Sequence, residues 1–259
     1  ALLEGKIIIL VDGTPFVLIV PALFVSFFQS AEDYYNRVII ANLLRLLRYI
    51  SLFIAALAPS LYIAITTFHQ ELVPPDLLIS LAAQREGNPF PAFVEALIME
   101  TVFEILREAG VRMPRVVGSA ISIVGALVIG TAAVEAGFVS AAMVIVVSLT
   151  AIANFVFPNP NMAITIRMLR FVYMFLAATF GFYGVLVGII ATILHVCSLR
   201  SFGVPYMAPF APIIPQDMKD AIFRTSWYRM STRQRLISQK NIRRQQPKSK
   251  AMPKPQKKG

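Results

Sequence analysis

The sequence holds one cysteine, Cys197, and two histidines, His69 and His195, among 259 residues. A single thiol excludes an internal disulfide and leaves the redox compartment undeclared. Two histidines at opposite ends of the chain leave little material for a His-rich metal centre or a Ser-His-Asp triad. Charge is scarce as well: 15% of residues are Asp, Glu, Lys or Arg, against about 25% in average soluble domains. At 57% hydrophobic residues and a mean hydropathy of +0.68, the chain cannot cover itself with polar groups as a soluble globule. It contains no Walker loop, GxSxG, HExxH or paired-cysteine motif, so no catalytic residue, metal or cofactor is assigned and the chain is not read as an enzyme. No internal repeat is evident and no signal peptide is read at the start.

What the sequence does have is a lopsided charge distribution. The net charge is +10, yet from Lys219 onward thirteen Lys and Arg stand against one acid, Asp220. The remainder carries eleven basic and thirteen acidic residues. The basic character therefore belongs to the tail. That argues against a nucleic-acid-binding body and for a polybasic segment beside an anionic membrane face.

Along the chain, Lys6 to Val11 reads as a short buried strand closed by an Asp12-Gly13 turn, without a partner strand nearby. Residues 14–29 are apolar but short, with Pro21 in the middle, and predict a kinked or re-entrant segment, with a full span as the rival. Residues 30–48, with Glu32, Asp33, Arg37, Arg45 and Arg48, read as interfacial. Residues 49–68 are uncharged and long enough to span, kinked at Pro59. A helix is predicted from near Pro91 to Gly110. At helical spacing Glu100, Glu104, Arg107 and Glu108 share one of its faces, and Val94, Ile98, Val102, Ile105 and Ala109 the other. This amphipathic helix is expected on the membrane surface or against partners, with Glu95 misplaced on the apolar side. Residues 116–134 and 139–157 form two spans joined by the tight turn Glu135–Phe138, and residues 171–196 a further span.

The fold class expected is thus all-α: a polytopic transmembrane helical bundle of about four to six spans, with an amphipathic helix and a basic cytoplasmic tail. Four spans are preferred, then five. Six require a split of residues 163–198 near Gly181 and Gly184. The four-span arrangement sets Arg37, Arg45 and Arg48 inside and leaves Arg167 and Arg170 awkwardly outside.

Gly118, Ser122, Ala126 and Gly130 recur every four residues along one span. Small residues at that spacing let helices approach closely, either within the bundle or at a subunit interface. The candidate ion-path residues are Glu95, Glu100, Glu104, Glu108, Glu135 and Asn154. Each has a plainer reading: a helix N-terminus for Glu95, a solvated face for Glu100, Glu104 and Glu108, a wet hairpin tip for Glu135, and a helix–helix hydrogen bond for Asn154. In a symmetric oligomer the three-glutamate face would form acidic rings that select cations.

Three stretches resemble one known family: residues 69–115 (HQELVPPDLLISLAAQREGNPFPAFVEALIMETVFEILREAGVRMPR), residues 125–159 (GALVIGTAAVEAGFVSAAMVIVVSLTAIANFVFPN) and residues 199–212 (LRSFGVPYMAPFAP). They are similar to the GerA-type spore germination proteins, A subunit, and the likeness runs from about Gly5 to Arg244. The resemblance implies a multi-pass protein of the spore inner membrane that works with B and C subunits as a nutrient receptor. It also implies homo-oligomerisation into a nutrient-gated channel for ion release. Residues 1–12 would then close an upstream cytoplasmic domain, residues 13–212 form the transmembrane domain and residues 213–259 the cytoplasmic tail. A paralogous branch of the superfamily belongs to dipicolinic-acid release; the TTFHQELVP and AAQREG stretches fit the receptor A subunit better.

Overall fold

The structure, a computed structural model, describes residues 2–112, 114, 125, 130–226, 230–238 and 242–244. The chain is mostly helical and divides into two units. One is drawn from the residues up to Tyr49 together with those from Thr192 on, the other from Ile50–Ala191.

In the first unit the opening strand is not alone. β1 (Ile7–Leu10) pairs antiparallel with β2 (Val17–Val20), Ile7 opposite Val20 and Leu10 opposite Val17. This corrects the expectation of a re-entrant segment over residues 14–29. Asp12-Gly13 turns the chain with Gly13 at φ 82°, a conformation glycine adopts without strain. The branched residues of Val17–Val20 then favour extended backbone, and Pro21 ends the strand because it has no N–H to give. A 3-10 turn (Phe24–Phe27) and the short helix α1 (Glu32–Tyr35) follow.

α2 (Val38–Thr67) begins eleven residues before the predicted span and runs through Pro59. The residues expected to be interfacial are drawn inward instead. Asp33 accepts from Arg45 Nε at 3.0 Å and Arg48 Nη1 at 2.7 Å, and all three side chains are buried. Asp220, expected in the tail, reaches Arg45 Nη1 at 2.8 Å and Tyr34 Oη at 2.7 Å. Arg224 is buried too and donates to the Asp33 carbonyl. The first part of the presumed tail is therefore folded structure, because buried acids need these cations as partners.

The second unit holds the main apolar core. Ile63 and Ala64 of α2, Ala92, Ala96 and Met99 of α4 (Ala92–Arg112), Met143 and Val147 of α5 (Ala141–Phe155), and Met174 and Ala177 of α6 (Pro160–Ser198) meet there. A further helix, α3 (Pro75–Arg85), was not foreseen; proline at its first position suits a helix start. α4 matches the prediction and continues two residues past Gly110. The turn after Glu135 is present, with Gly137 at φ 71°, and Ser140 caps α5 by accepting from the Met143 amide. α5 has 15 residues, fewer than the roughly 20 a full crossing needs. The predicted span over residues 116–134 falls almost wholly outside the described residues, so the proposed hairpin with α5 does too.

Among the described residues, two helical stretches, Val38–Thr67 and Pro160–Ser198, are long and apolar enough to cross a membrane by length and composition. The second is not one continuous rod, which corrects the single span over residues 171–196. Gly181 has φ 61° and ψ −142°, outside the helical region, and two helices meet there. A Cβ added at Gly188 would lie 3.0 Å from the Tyr173 ring, and one at Gly184 would lie 2.2 Å from the Leu176 carbonyl oxygen. Residues 173 and 188 of a straight helix would stand about 22 Å apart, so the chain folds back at Gly181. This is the split near Gly181 and Gly184 that the sequence offered as its least preferred alternative.

Candidate functional site

α4 faces the opposite way from a helix on a soluble domain. Its buried residues are Ala92, Glu95, Ala96, Met99 and Glu100. On the face read as apolar, Ile98 and Ile105 are exposed while Val94, Val102 and Ala109 are half-buried. α6 repeats the inversion: Arg167, Arg170, Met174 and Ala177 lie inward, while Met168, Val172 and Phe175 are exposed. Helices with charge inside and hydrocarbon outside suit a surrounding of lipid or apolar partners, where ionisable groups turn to the bundle interior.

The inward charges are paired. Arg170 Nη1 donates to Glu100 Oε2 at 2.5 Å, and both side chains are almost wholly withdrawn from solvent. Arg170 Nε donates to the Ala55 carbonyl at 2.7 Å. In a helix that carbonyl would accept from residue 59, which here is a proline without an N–H, so the arginine fills a gap made by Pro59. One turn along, Arg167 Nη1 holds both oxygens of Glu104, at 3.0 and 2.7 Å, and Arg107 approaches Glu104 at 3.4 Å. Glu95 is held differently: the amide and hydroxyl of Ser140 donate to it. The Tyr62 hydroxyl lies 3.4 Å from the same Ser140 oxygen.

Beside Arg167 lies a cavity of about 280 Å³ between α4, α5 and the start of α6. Phe103, Phe155 and Phe157 wall it, and Arg107, Arg167 and Asn154 are its polar groups. Asn154 Nδ2 donates to the Thr150 carbonyl of its own helix at 3.2 Å, rather than to another helix.

Of the candidates, Glu95 and Glu100 are fully buried, Asn154 is nearly so and Glu104 is partly exposed, each with its own partners. Glu100 is not on a solvated face. Glu108 is, pairing with Arg112 at 2.6 Å, and Glu135 is exposed at the turn. Gly118, Ser122 and Ala126 lie outside the described residues, and Gly130 is exposed with nothing within 4 Å of an added Cβ. Sequence reasoning missed Arg167 and Arg170 as partners of the glutamates. The available signal was their spacing: three residues apart on α6, they match Glu100 and Glu104 on α4.

A helical chain with, among the described residues, two apolar stretches of membrane length and a buried Arg170–Glu100 ion pair has the build of a membrane-associated protein. The family described as Bacillus/Clostridium GerA spore germination protein matches residues 1–236, and the chain belongs to it. It is 61% identical over 244 residues to spore germination protein KA of Bacillus subtilis (strain 168), covering 94% of this chain and 45% of that one. It is 52% identical over 251 residues to the uncharacterized membrane protein YfkQ of the same organism, covering 95% and 49%. Spore germination protein GerLA of Bacillus cereus is 48% identical over 224 residues, covering 86% and 46%. The chain spans about half the length of the curated relatives it matches. No solved structure matches it.

Proposed function

We propose that this chain is the membrane part of an A-type subunit of a nutrient germinant receptor in the spore inner membrane, working with B and C subunits. In this reading several copies assemble around a central path and release ions when the partners signal nutrient binding. The observation that carries the reading is the inverted polarity of α4 and α6 in a chain of a spore germination family. Ionisable groups inside a membrane bundle are expensive to keep and mark ion paths or switches. Glu100 and Glu104 are neutralised by Arg170 and Arg167 in the arrangement described. That pairing suits a closed state, and opening would require the carboxylates to exchange arginine for a passing cation.

The experiment is conductance of the full-length protein, with its B and C partners, in reconstituted bilayers. Glu100→Gln combined with Glu104→Gln lowers cation conductance at unchanged expression if these groups line the path; unaltered conductance removes them from it. The second reading is a non-conducting scaffold or signal relay. The pairing of Glu100 with Arg170 and of Glu104 with Arg167 supports it, since each carboxylate has a partner within its own chain. Absence of any current from an activated receptor, with germination signalling intact, would select the relay.

A further inference from the structure

The ion pairs of the second unit give no role to residues 199–212, which carry part of the family likeness and belong to the first unit. This stretch opens with a hairpin. β3 (Arg200–Ser201) pairs antiparallel with β4 (Val204–Pro205), Arg200 opposite Pro205 and Ser201 opposite Val204. Phe202 and Gly203 form the two-residue turn, at φ 49° and 82°. A turn with positive φ at both central residues usually has asparagine, aspartate or glycine first. Phe202 is the one non-glycine residue with positive φ among the described residues, and its side chain is 74% exposed. A lone exposed aromatic is ordinary on a protein surface. One held in a strained backbone conformation, with most of its ring uncovered, is not.

The base of the hairpin is fixed. The Tyr206 amide donates to the Leu199 carbonyl at 3.0 Å, the Ala22 amide to Ser201 Oγ at 3.0 Å and the Phe24 amide to the Tyr206 carbonyl at 2.9 Å. The rings of Phe24 and Phe27 each lie 6.2 Å from that of Tyr206. A fixed stem thus presents a bare tip.

What covers the ring follows from the helix before it. Beyond the break at Gly181, α6 continues to Ser198 without any Asp, Glu, Lys or Arg. At ~1.5 Å per residue this limb extends about 26 Å, close to the ~30 Å hydrocarbon core of a bilayer. Tyr183, Leu186, Ile190 and Leu194 are exposed along it, while Gly184, Val185 and Gly188 are buried. An outward apolar face of that length suits lipid. Arg200 is exposed and is the first charged residue after Arg170. It marks where the chain leaves the hydrocarbon, and Phe202 stands two residues further on, at the level where aromatic and basic side chains anchor membrane proteins.

We propose that Phe202 is an interfacial membrane anchor, its ring inserted at the boundary of lipid headgroups and acyl chains, with Arg200 against the lipid phosphates. The inference requires α6 to lie in a bilayer and is independent of nutrient recognition and of ion conduction.

The full-length protein, freed of other cysteines, is labelled with a small aromatic fluorophore at Phe202→Cys or at Ile193→Cys and placed in phosphatidylcholine nanodiscs. Ile193 is exposed on α6 and reports whether that helix meets lipid. A nitroxide carried near the lipid headgroup is expected to quench the Phe202→Cys label several-fold more than one deep in the acyl chains, and aqueous iodide to quench it weakly. An acyl-chain nitroxide is expected to quench the Ile193→Cys label. Iodide quenching without lipid quenching at Phe202→Cys, alongside lipid quenching at Ile193→Cys, overturns the anchor and leaves α6 in the membrane. Lipid quenching at neither site overturns the anchor together with the membrane placement of α6. Protection from both quenchers that appears only on addition of the B and C subunits also overturns it, since the ring then meets a protein. Amide hydrogen exchange tests the unlabelled ring. Phe202→Asn eases the turn, so a role confined to the fold predicts slower exchange over residues 200–205 in nanodiscs. The anchor predicts faster exchange, because the tip loses its hold on the interface; equal or slower exchange overturns the assignment.

Discussion

The Ala55 carbonyl, deprived of its helical donor by Pro59, accepts a hydrogen bond from Arg170, whose other end holds the buried Glu100. One side chain thus satisfies a backbone defect and a carboxylate at once. Breaking a buried ion pair by removing one partner costs about 3–5 kcal/mol, whereas replacing both by apolar groups of similar volume is often neutral. Arg170→Met is therefore expected to lower thermal stability in detergent far more than Glu100→Met with Arg170→Met together. In a Pro59→Ala background the Ala55 carbonyl regains its helical donor, and Arg170→Met should cost less, with a coupling of about 0.5–3 kcal/mol. Circular dichroism melts of the four variants check this; additive losses would mean that Pro59 and Arg170 are independent.

The fold-back at Gly181 makes a distance prediction. Tyr173→Cys with Gly188→Cys, in a Cys197→Ser background, is expected to be joined within one chain by a short bifunctional thiol reagent. Failure to cross-link while both thiols react singly would restore the straight helix. Substitution at the turn itself is expected to be destabilising. Gly181→Ala places a Cβ 3.0 Å from Phe68 and His69 at a φ that other residues rarely adopt, a strain of about 1–3 kcal/mol.

Asp33 predicts an acid limit. Burial pushes its carboxyl up, but hydrogen bonds from Arg48 and Arg45 and from the Ser30 amide outweigh that and hold it below the ordinary value. A carboxyl depressed in the folded state contributes stability that is complete above its unfolded value of about 3.9. That stability is lost as pH falls through the folded value. The melting temperature should therefore fall steeply below about pH 4. Asp33→Asn should be less stable at neutral pH and should show a flatter acid limb. An acid limb as steep as that of the unaltered chain would assign the loss to other carboxyls.

Local signals were legible in the sequence. The uncharged run ending at Phe68 marks the end of α2, the Pro91-to-Gly110 window locates α4, and the Gly137 turn lies where the tight connection was read. The inward face of α4 was not. Periodicity separates two faces, but only the surrounding medium says which one turns inward, and the reading of Glu100 on a solvated face fails because that carboxylate is buried while Ile98 and Ile105 are exposed. Long-range pairing was equally hidden. Nothing near Asp33 announces Asp220 and Arg224, which lie nearly two hundred residues away. Arg167 and Arg170 looked awkward only because they were weighed as loop charges rather than as partners for Glu104 and Glu100.

The small-residue stripe now rests on Gly130, its one member among the described residues. Nothing lies within 4 Å of an added Cβ there, so Gly130→Leu meets no obstacle from its own chain. On the proposed reading of residues 116–134 as a span, a larger side chain at this exposed position would act instead on close approach by a second copy. Gly130→Leu is therefore expected to leave the melting temperature of the monomer unchanged and to shift the full-length protein in nanodiscs towards lower mass. Loss of stability without a change of mass would return the stripe to packing within one chain. An unchanged mass and an unchanged melt would remove Gly130 from any interface, and with it the best-placed sequence feature for an oligomeric path.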